Sequence, residues 1–123
     1  MKTFIIIGAI NAFLSVALGA FGAHALEGKI SQKYIETWNT GVLYQMFHAL
    51  GILIVGVLIG NVSASSLLSW SGWLMLIGTI LFSGSLYVLS LSGIKVLGAI
   101  TPLGGVSFLA AWVLLIIFAV KAL

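Results

Sequence analysis

The two histidines are the side chains of this sequence best suited to chemistry, and His48 has the less usual surroundings. It lies in the apolar stretch "YQMFHALGILIVG", about ten residues beyond Trp38, which places it about 15 Å further along a helix. An ionisable side chain at such a depth in a membrane marks a candidate site for ligand binding or proton handling. The alternative is a neutral imidazole bonded to Gln45, to a serine or to a carbonyl of a neighbouring helix.

The second histidine, His24, lies three residues before Glu27, so the two side chains are expected to bond to each other at the membrane interface. A bis-histidine haem would need His24 and His48 at one level, but their depths differ by roughly 10 to 15 Å. A metal site needs three or four ligands, and the sequence contains no further cluster of strong ligands. We therefore predict no cofactor.

Catalytic patterns are missing from the sequence. No serine stands in a "GxSxG" setting, and there is no phosphate-binding loop of the Walker type. The chain has no cysteine, which removes thiolate catalysis, thiolate metal sites and disulfides. We therefore predict that the protein is not an enzyme.

The stretch "ITPLGG" (100–105) is a third candidate for binding. Thr101 is expected to cap a helix whose first residue is Pro102, and the exposed backbone donors of such a helix start favour anions or electronegative groups. If Gln45 and His48 face this start, they form a small polar pocket with it. An ordinary capped helix start is the alternative.

These residues must be positioned by an unusually apolar chain. Of its 123 residues, 62% are hydrophobic and 6% are charged, whereas a soluble domain carries about 25% charged residues. So few charges cannot cover a surface that faces water, so lipid must be the solvent of most of the chain. The formal net charge of +3 is too small and too dispersed for a nucleic-acid-binding surface.

Four segments are long and apolar enough to cross a hydrocarbon core of about 30 Å. They cover approximately residues 3–23, 41–60, 67–89 and 101–120, and none contains Asp, Glu, Lys or Arg. Because only a helix satisfies its backbone within one segment, we predict a single all-α domain, 1–123, in which four transmembrane helices form a compact bundle. A cleaved signal peptide is the alternative for the first segment, although its apolar run exceeds the usual 7 to 15 residues.

The linkers predict where the helices begin and end. Gly28 is expected to end the first helix and Ser31 to cap the second, which then starts outside the membrane, with Trp38 at the lipid headgroups. Residues 94–100, between glycines and Pro102, are expected to form a short interfacial or re-entrant segment before the fourth helix. Three lysines on the side of the first and third linkers, against two on the other side, favour a cytoplasmic position for these linkers.

Small and polar residues recur at helical spacing, and this spacing predicts which face of each helix points into the bundle. The first helix carries a small-residue face that packs either within the bundle or between subunits. The second carries a polar and aromatic stripe, and the third and fourth carry polar edges. These polar faces are expected to meet each other inside the bundle, because facing lipid would leave them unsatisfied. The candidate ligand-binding residues on these faces are Trp38, Tyr44, Gln45, His48, Ser83, Tyr87, Thr101 and Gly105.

Four blocks together resemble a known family: "GAFGAHAL" (19–26), "WNTGVLYQMFHALG" (38–51), "FSGSLY" (82–87) and "ITPLGG" (100–105). In this order they are similar to the domain of unknown function 423, or transmembrane protein 256-like, family of small integral membrane proteins. Gly41 is a departure, because alanine is expected there. The resemblance implies a four-helix bacterial membrane protein but no activity, and it singles out Gly22, His24, Trp38, Tyr44, Gln45, His48, Ser83, Ser85, Tyr87, Thr101, Pro102 and Gly105.

Two functions are compatible with these features. The first is a non-enzymatic protein of the cell membrane that binds a lipid, a quinone-like molecule or another membrane protein through its polar bundle interior. The second is a transporter or channel subunit, which would need to form a homo-oligomer because four helices enclose no broad pathway. The broken segment before Pro102 and the deep His48 favour the second function, since discontinuous helices often mark transport sites.

Overall fold

The computed structural model describes residues 2–62 and 65–123, and its helices confirm the predicted all-α architecture. The four long helices and one short one are α1 (Lys2–Leu26), α2 (Gln32–Asn61), α3 (Ser66–Ser92), the 3₁₀ helix Lys95–Ala99 and α4 (Thr101–Ala122). Each long helix has the length and apolar composition needed to cross a membrane. The described residues form no strand.

Several polar side chains lie inside this bundle together with apolar ones, and many large apolar side chains lie on its outside, where a soluble protein carries polar ones. Ser15, Ser71 and Ser83 are fully buried, whereas Phe13 and Leu109 are 72% and 68% exposed. Exposed apolar side chains are stable in hydrocarbon, and buried hydroxyls are stable once bonded to other protein groups. The pattern therefore indicates a bundle surrounded by lipid.

The ends of the helices follow the sequence signals with one exception. Gly28 (φ +80°) and Gly93 (φ +72°) adopt the left-handed conformation that glycine favours, after α1 and at the end of α3. The Ser31 side chain accepts a hydrogen bond from the Tyr34 N–H and caps α2 as predicted. The prediction that Thr101 caps α4 is wrong, because Thr101 is itself helical and Ile100 precedes it without a side-chain cap.

Consecutive helices pack antiparallel, and small residues set their spacing. Gly8 and Gly22, near the two ends of α1, lie against Leu53 and Trp38 of α2, so the small-residue face of α1 packs within the bundle. Gly78 of α3 lies against Phe108 of α4. A side chain at any of these three glycines would collide with the facing residue, so the glycines permit the close approach of the helices.

Two apolar clusters lie at opposite ends of the bundle and enclose a polar layer. The smaller, Leu26, Ile35 and Trp38, joins the end of α1 to the start of α2. The larger joins the other halves of all four helices and consists of Phe4, Ile52, Val55, Leu68, Met75, Ala111 and Phe118. Tyr44, Gln45 and His48, candidate site residues on α2, lie between these two clusters, and Trp38 belongs to the smaller one.

Candidate functional site

A chain of three polar side chains crosses the middle of the bundle. The Gln45 amide donates from Nε2 to Asn11 Oδ1 of α1 at 3.0 Å and accepts at Oε1 from the Tyr87 hydroxyl of α3 at 2.7 Å. Gln45 and Asn11 are buried. The polar stripe of α2 therefore meets polar groups of its neighbours, as the sequence predicted.

Buried hydroxyls tie the remaining helices together. Ser83 donates to the Gly41 carbonyl at 2.7 Å, and Ser85 and Thr101 share a hydrogen bond of 2.6 Å between α3 and α4. Ser107 of α4 donates to the Leu74 carbonyl at 2.7 Å. Within residues 2–62 and 65–123, every buried side-chain nitrogen or oxygen has a partner. Each buried polar side chain of the described interior is therefore held by at least one other group of the protein.

His48 is held by partners at both ring nitrogens. Nδ1 lies 2.8 Å from the Tyr44 carbonyl, which only accepts, so Nδ1 carries the hydrogen. Nε2 then accepts from the Trp112 indole N–H at 3.0 Å. The ring also stacks on Phe108, with centroids 3.5 Å apart and an angle of 6° between the planes. These contacts fix His48 as a neutral imidazole that joins α2 to α4.

A groove of about 650 Å³ lies on the outer side of His48, between α2 and α4. Its lining consists of Leu43, Tyr44, Phe47, His48, Phe82, Pro102, Gly105, Val106, Phe108, Leu109 and Trp112. Leu43, Phe47 and Val106 are more than half exposed, so the groove opens sideways towards lipid. These lining residues carry no charge and do not include Gln45, so the condition for a polar pocket formed by Gln45 and His48 is not met, and the pocket beside the start of α4 is mainly apolar.

Aromatic rings form most of the walls of this groove. Tyr44 packs against Phe82 with centroids 4.4 Å apart, and Phe47 meets Trp112 edge to face at 5.8 Å. Phe82 belongs to a π-helical turn, Thr79–Ser83, which interrupts α3 beside the groove. Such turns occur frequently at functional sites.

Gly105 leaves part of the groove open. A Cβ atom at this position would have no neighbour within 4 Å, because the residue borders free space. Gly104 is different, because a Cβ atom there would lie 2.4 Å from the Phe82 nitrogen. One glycine therefore brings α4 against the π turn, and the next borders the groove.

The predicted candidates consequently divide into two groups. Tyr44, His48 and Gly105 line the groove. The other candidates lie outside its lining and bond or pack between helices; they are Trp38, Gln45, Ser83, Tyr87 and Thr101.

Two interfacial predictions are wrong. The predicted bond between His24 and Glu27 does not form, because the helix ends at Leu26 and the extended backbone of Glu27 (ψ 126°) places it beyond the helical turn of His24. Trp38, expected at the headgroups, is only 3% exposed and donates its indole N–H to the Leu18 carbonyl at 2.9 Å. Gly22 provides the space for the Trp38 ring.

Three residues of the site escaped the sequence analysis. Asn11 could have been found as a polar side chain on the small-residue face of α1, four residues before Ser15. Trp112 could have been found because a tryptophan far from both ends of an apolar segment needs an acceptor inside the protein. No sequence pattern indicated that Phe82 belongs to the site, because its position depends on the π turn of α3.

Within the described residues, no group of three or more His, Asp or Glu side chains could hold a metal ion. His24 is exposed at the end of α1, and His48 is buried in α2 with both ring nitrogens engaged. The site therefore consists of an apolar groove lined mainly by aromatic rings, next to an interior whose polar side chains are hydrogen-bonded within the protein.

Comparison with known proteins identifies relatives of the whole chain. The family described as "Protein of unknown function (DUF423)" matches residues 18–105. UPF0382 membrane protein YwdK of Bacillus subtilis is 57% identical over 123 residues, which cover all of both chains. UPF0382 membrane proteins of Staphylococcus haemolyticus (SH2409) and Staphylococcus aureus (SAB0533) are 53% and 54% identical over 121 residues, with 98% of each chain covered. No solved structure gives a significant match. The chain is thus a membrane protein that belongs to the DUF423 family.

Proposed function

We propose that this protein binds a small, mainly apolar molecule, a lipid or a quinone-like compound, in the groove between α2 and α4. The observation that carries the proposal is the groove itself, whose volume of about 650 Å³ falls in the range of small-molecule sites. Its lateral opening gives access from the lipid phase. Its apolar lining suits a ligand that dissolves in the bilayer.

The polar interior supports this role by holding the walls of the groove in place. His48 and Trp112 line the groove and bond to each other, so α2 and α4 keep a fixed spacing. Because both nitrogens of His48 are engaged, we infer a role in binding and not in catalysis. The relatives in Bacillus and Staphylococcus support a location in the bacterial cell membrane.

A substitution that fills the groove tests the proposal. Gly105→Leu places a side chain in the open part of the lining and should abolish ligand binding without disturbing the helices. Gly84→Leu is the matched control, because a Cβ atom there also meets nothing within 4 Å and Gly84 lies outside the groove. Both variants and the parent protein are purified from native membranes in mild detergent and weighed by native mass spectrometry.

We expect a constant extra mass on the parent protein and on Gly84→Leu, and a bare mass on Gly105→Leu. An extra mass that survives in Gly105→Leu would refute binding in the groove. A bare parent protein that also fails to bind added lipid or quinone would refute the proposal as a whole. A second polypeptide that is retained by the parent protein and lost in Gly105→Leu would identify a membrane-protein partner as the occupant instead.

A transporter or channel subunit is the second candidate. The break between Gly93 and Thr101 and the π turn of α3 favour it, since interrupted helices provide the irregular backbone of transport sites. A fixed homo-oligomer that dissipates an ion gradient in liposomes would support this candidate. A monomer that leaves such gradients intact would oppose it.

A further inference from the structure

We propose that the groove takes a neutral, planar ring that bears a carbonyl-type oxygen, and that the Tyr44 hydroxyl donates a hydrogen bond to this oxygen. This inference rests on the proposed function and narrows the class of ligand. It assigns Tyr44 as the residue that determines specificity, and it distinguishes a quinone-like ring from the acyl chain of a lipid.

The first argument is the free hydroxyl of Tyr44. Three side chains of the lining carry polar atoms: Tyr44, His48 and Trp112. His48 and Trp112 are bonded to each other, whereas the Tyr44 hydroxyl makes no hydrogen bond within the described residues. Tyr44 lies three residues, about 4.5 Å, beyond Gly41, where the predicted apolar span of α2 begins. The Tyr44 hydroxyl is thus the polar group of the lining that is free to donate, and in an otherwise apolar groove it favours a ligand that brings an acceptor.

The second argument is the shape of the walls around this hydroxyl. The planes of Tyr44 and Phe108 lie at 20° to each other, and the planes of His48 and Phe108 at 6°. His48 and Phe108 are only 3% and 4% exposed, whereas Tyr44 is 40% exposed, so the Tyr44 ring provides the surface on which a further planar ring can stack in an offset position. A flexible acyl chain makes no such stack.

The third argument is the charge of the site. Among the described residues, none that lines the groove is charged, and Lys33 and Lys95, on the same side of the bundle, lie outside the lining. A phosphate needs cationic or multiple backbone donors, but the N–H groups of Leu103 and Gly104 at the start of α4 already donate to the Ile100 carbonyl, and Pro102 has no N–H. A neutral ring needs only the single donor that Tyr44 provides.

The experiment compares two matched probes with matched protein variants. The first probe is a 1,4-naphthoquinone with a short isoprenoid tail, and the second is naphthalene with the same tail, which has the ring but no acceptor. Phosphatidylglycerol is the competing lipid. Tyr44→Phe removes the hydroxyl and keeps the ring, Gly105→Leu fills the groove, and Tyr34→Phe removes a phenol outside the groove as the control. Dissociation constants are measured by native mass spectrometry on the full chain in detergent.

We expect one naphthoquinone per chain, about three- to ten-fold weaker binding of it to Tyr44→Phe, and no change with Tyr34→Phe. Naphthalene should bind Tyr44→Phe and the parent protein equally. Both probes should fail to bind Gly105→Leu.

The outcomes separate the inference from the proposed function. If Tyr44→Phe weakens both probes equally or neither of them, the hydrogen bond from Tyr44 is refuted, while loss of both probes in Gly105→Leu still supports the groove. If phosphatidylglycerol displaces the naphthoquinone and binds more tightly, the occupant is a phospholipid and the inference fails. If Gly105→Leu binds both probes like the parent protein, the groove is not the site and both proposals fail.

Discussion

Replacing Gly104 by alanine is expected to push α4 away from the π turn of α3. A Cβ atom at Gly104 would lie 2.4 Å from the Phe82 nitrogen and 2.8 Å from the Phe82 Cα. These are backbone atoms, so no change of rotamer can relieve the contact. Restoring an ordinary separation of 3.4 Å from the nitrogen requires α4 to move by about 1 Å.

The cost of this movement has two parts. Overpacking of a close helix contact costs about 1–3 kcal/mol. The bonds Ser85–Thr101 and Ser107–Leu74 join α3 to α4 on either side of the contact, and each contributes roughly 0.6 kcal/mol. If both bonds lengthen beyond hydrogen-bond distance, Gly104→Ala lowers the free energy of unfolding by about 2–4 kcal/mol.

The adjacent glycine provides the control. A methyl group at Gly105 meets nothing within 4 Å, so Gly105→Ala should unfold like the parent protein, or gain up to about 1 kcal/mol from helix propensity. The assay is unfolding by sodium dodecyl sulfate in mixed micelles, followed by circular dichroism. Adding Ser85→Ala to Gly104→Ala should cost less than Ser85→Ala alone, because the bond to Thr101 is already weakened.

Equal stability of Gly104→Ala and Gly105→Ala would refute this reasoning. It would mean that the first of the two glycines does not face the backbone of Phe82. A loss of stability with Gly105→Ala would equally contradict the free space beside that residue.

Two further sets of substitutions test the polar interior. His48→Leu should still fold, because a membrane bundle accepts an apolar residue, but its free energy of unfolding should fall by about 0.6–1.7 kcal/mol because the Trp112 indole loses its acceptor. His48→Gln keeps an acceptor, so its free energy of unfolding should be closer to that of the parent protein. Equal losses in the two variants would contradict the bond between His48 and Trp112. Tyr87→Phe and Asn11→Ala should each cost about 0.6 kcal/mol, and the double variant should cost less than the sum, because both residues act through Gln45. Additive costs in the same unfolding assay would argue against a connected chain of bonds.

Most of the fold could be predicted from the sequence, because the information is local. Hydropathy over about 20 residues identifies a membrane-crossing helix without knowledge of its neighbours. The caps are local too: Ser31 precedes α2, and Gly28 and Gly93 occupy left-handed positions after a helix. Helical spacing also predicted that Gln45 and His48 face the interior, and both are buried.

The partners of these residues could not be predicted, because they depend on the register between helices. The sequence showed that Gln45 and Tyr87 must find partners, but not that they bond to each other, or that Asn11 completes the chain. Thr101 has the residue type of a helix cap, yet its hydroxyl bonds to Ser85 because α4 begins against α3. A contact between helices depends on residues far apart in the chain.

The groove is the clearest case of a feature that only the tertiary structure determines. Gly104 and Gly105 are the same residue type, adjacent in "PLGG", and no local pattern separates them. One helical step turns Gly104 towards the backbone of Phe82 and leaves Gly105 beside open space. The sequence by itself determined that the protein is a four-helix membrane bundle with a polar interior, because hydropathy and helical period are local properties. The packing of α2, α3 and α4 decided where the bundle stays open, because free space between helices depends on their rotation and spacing.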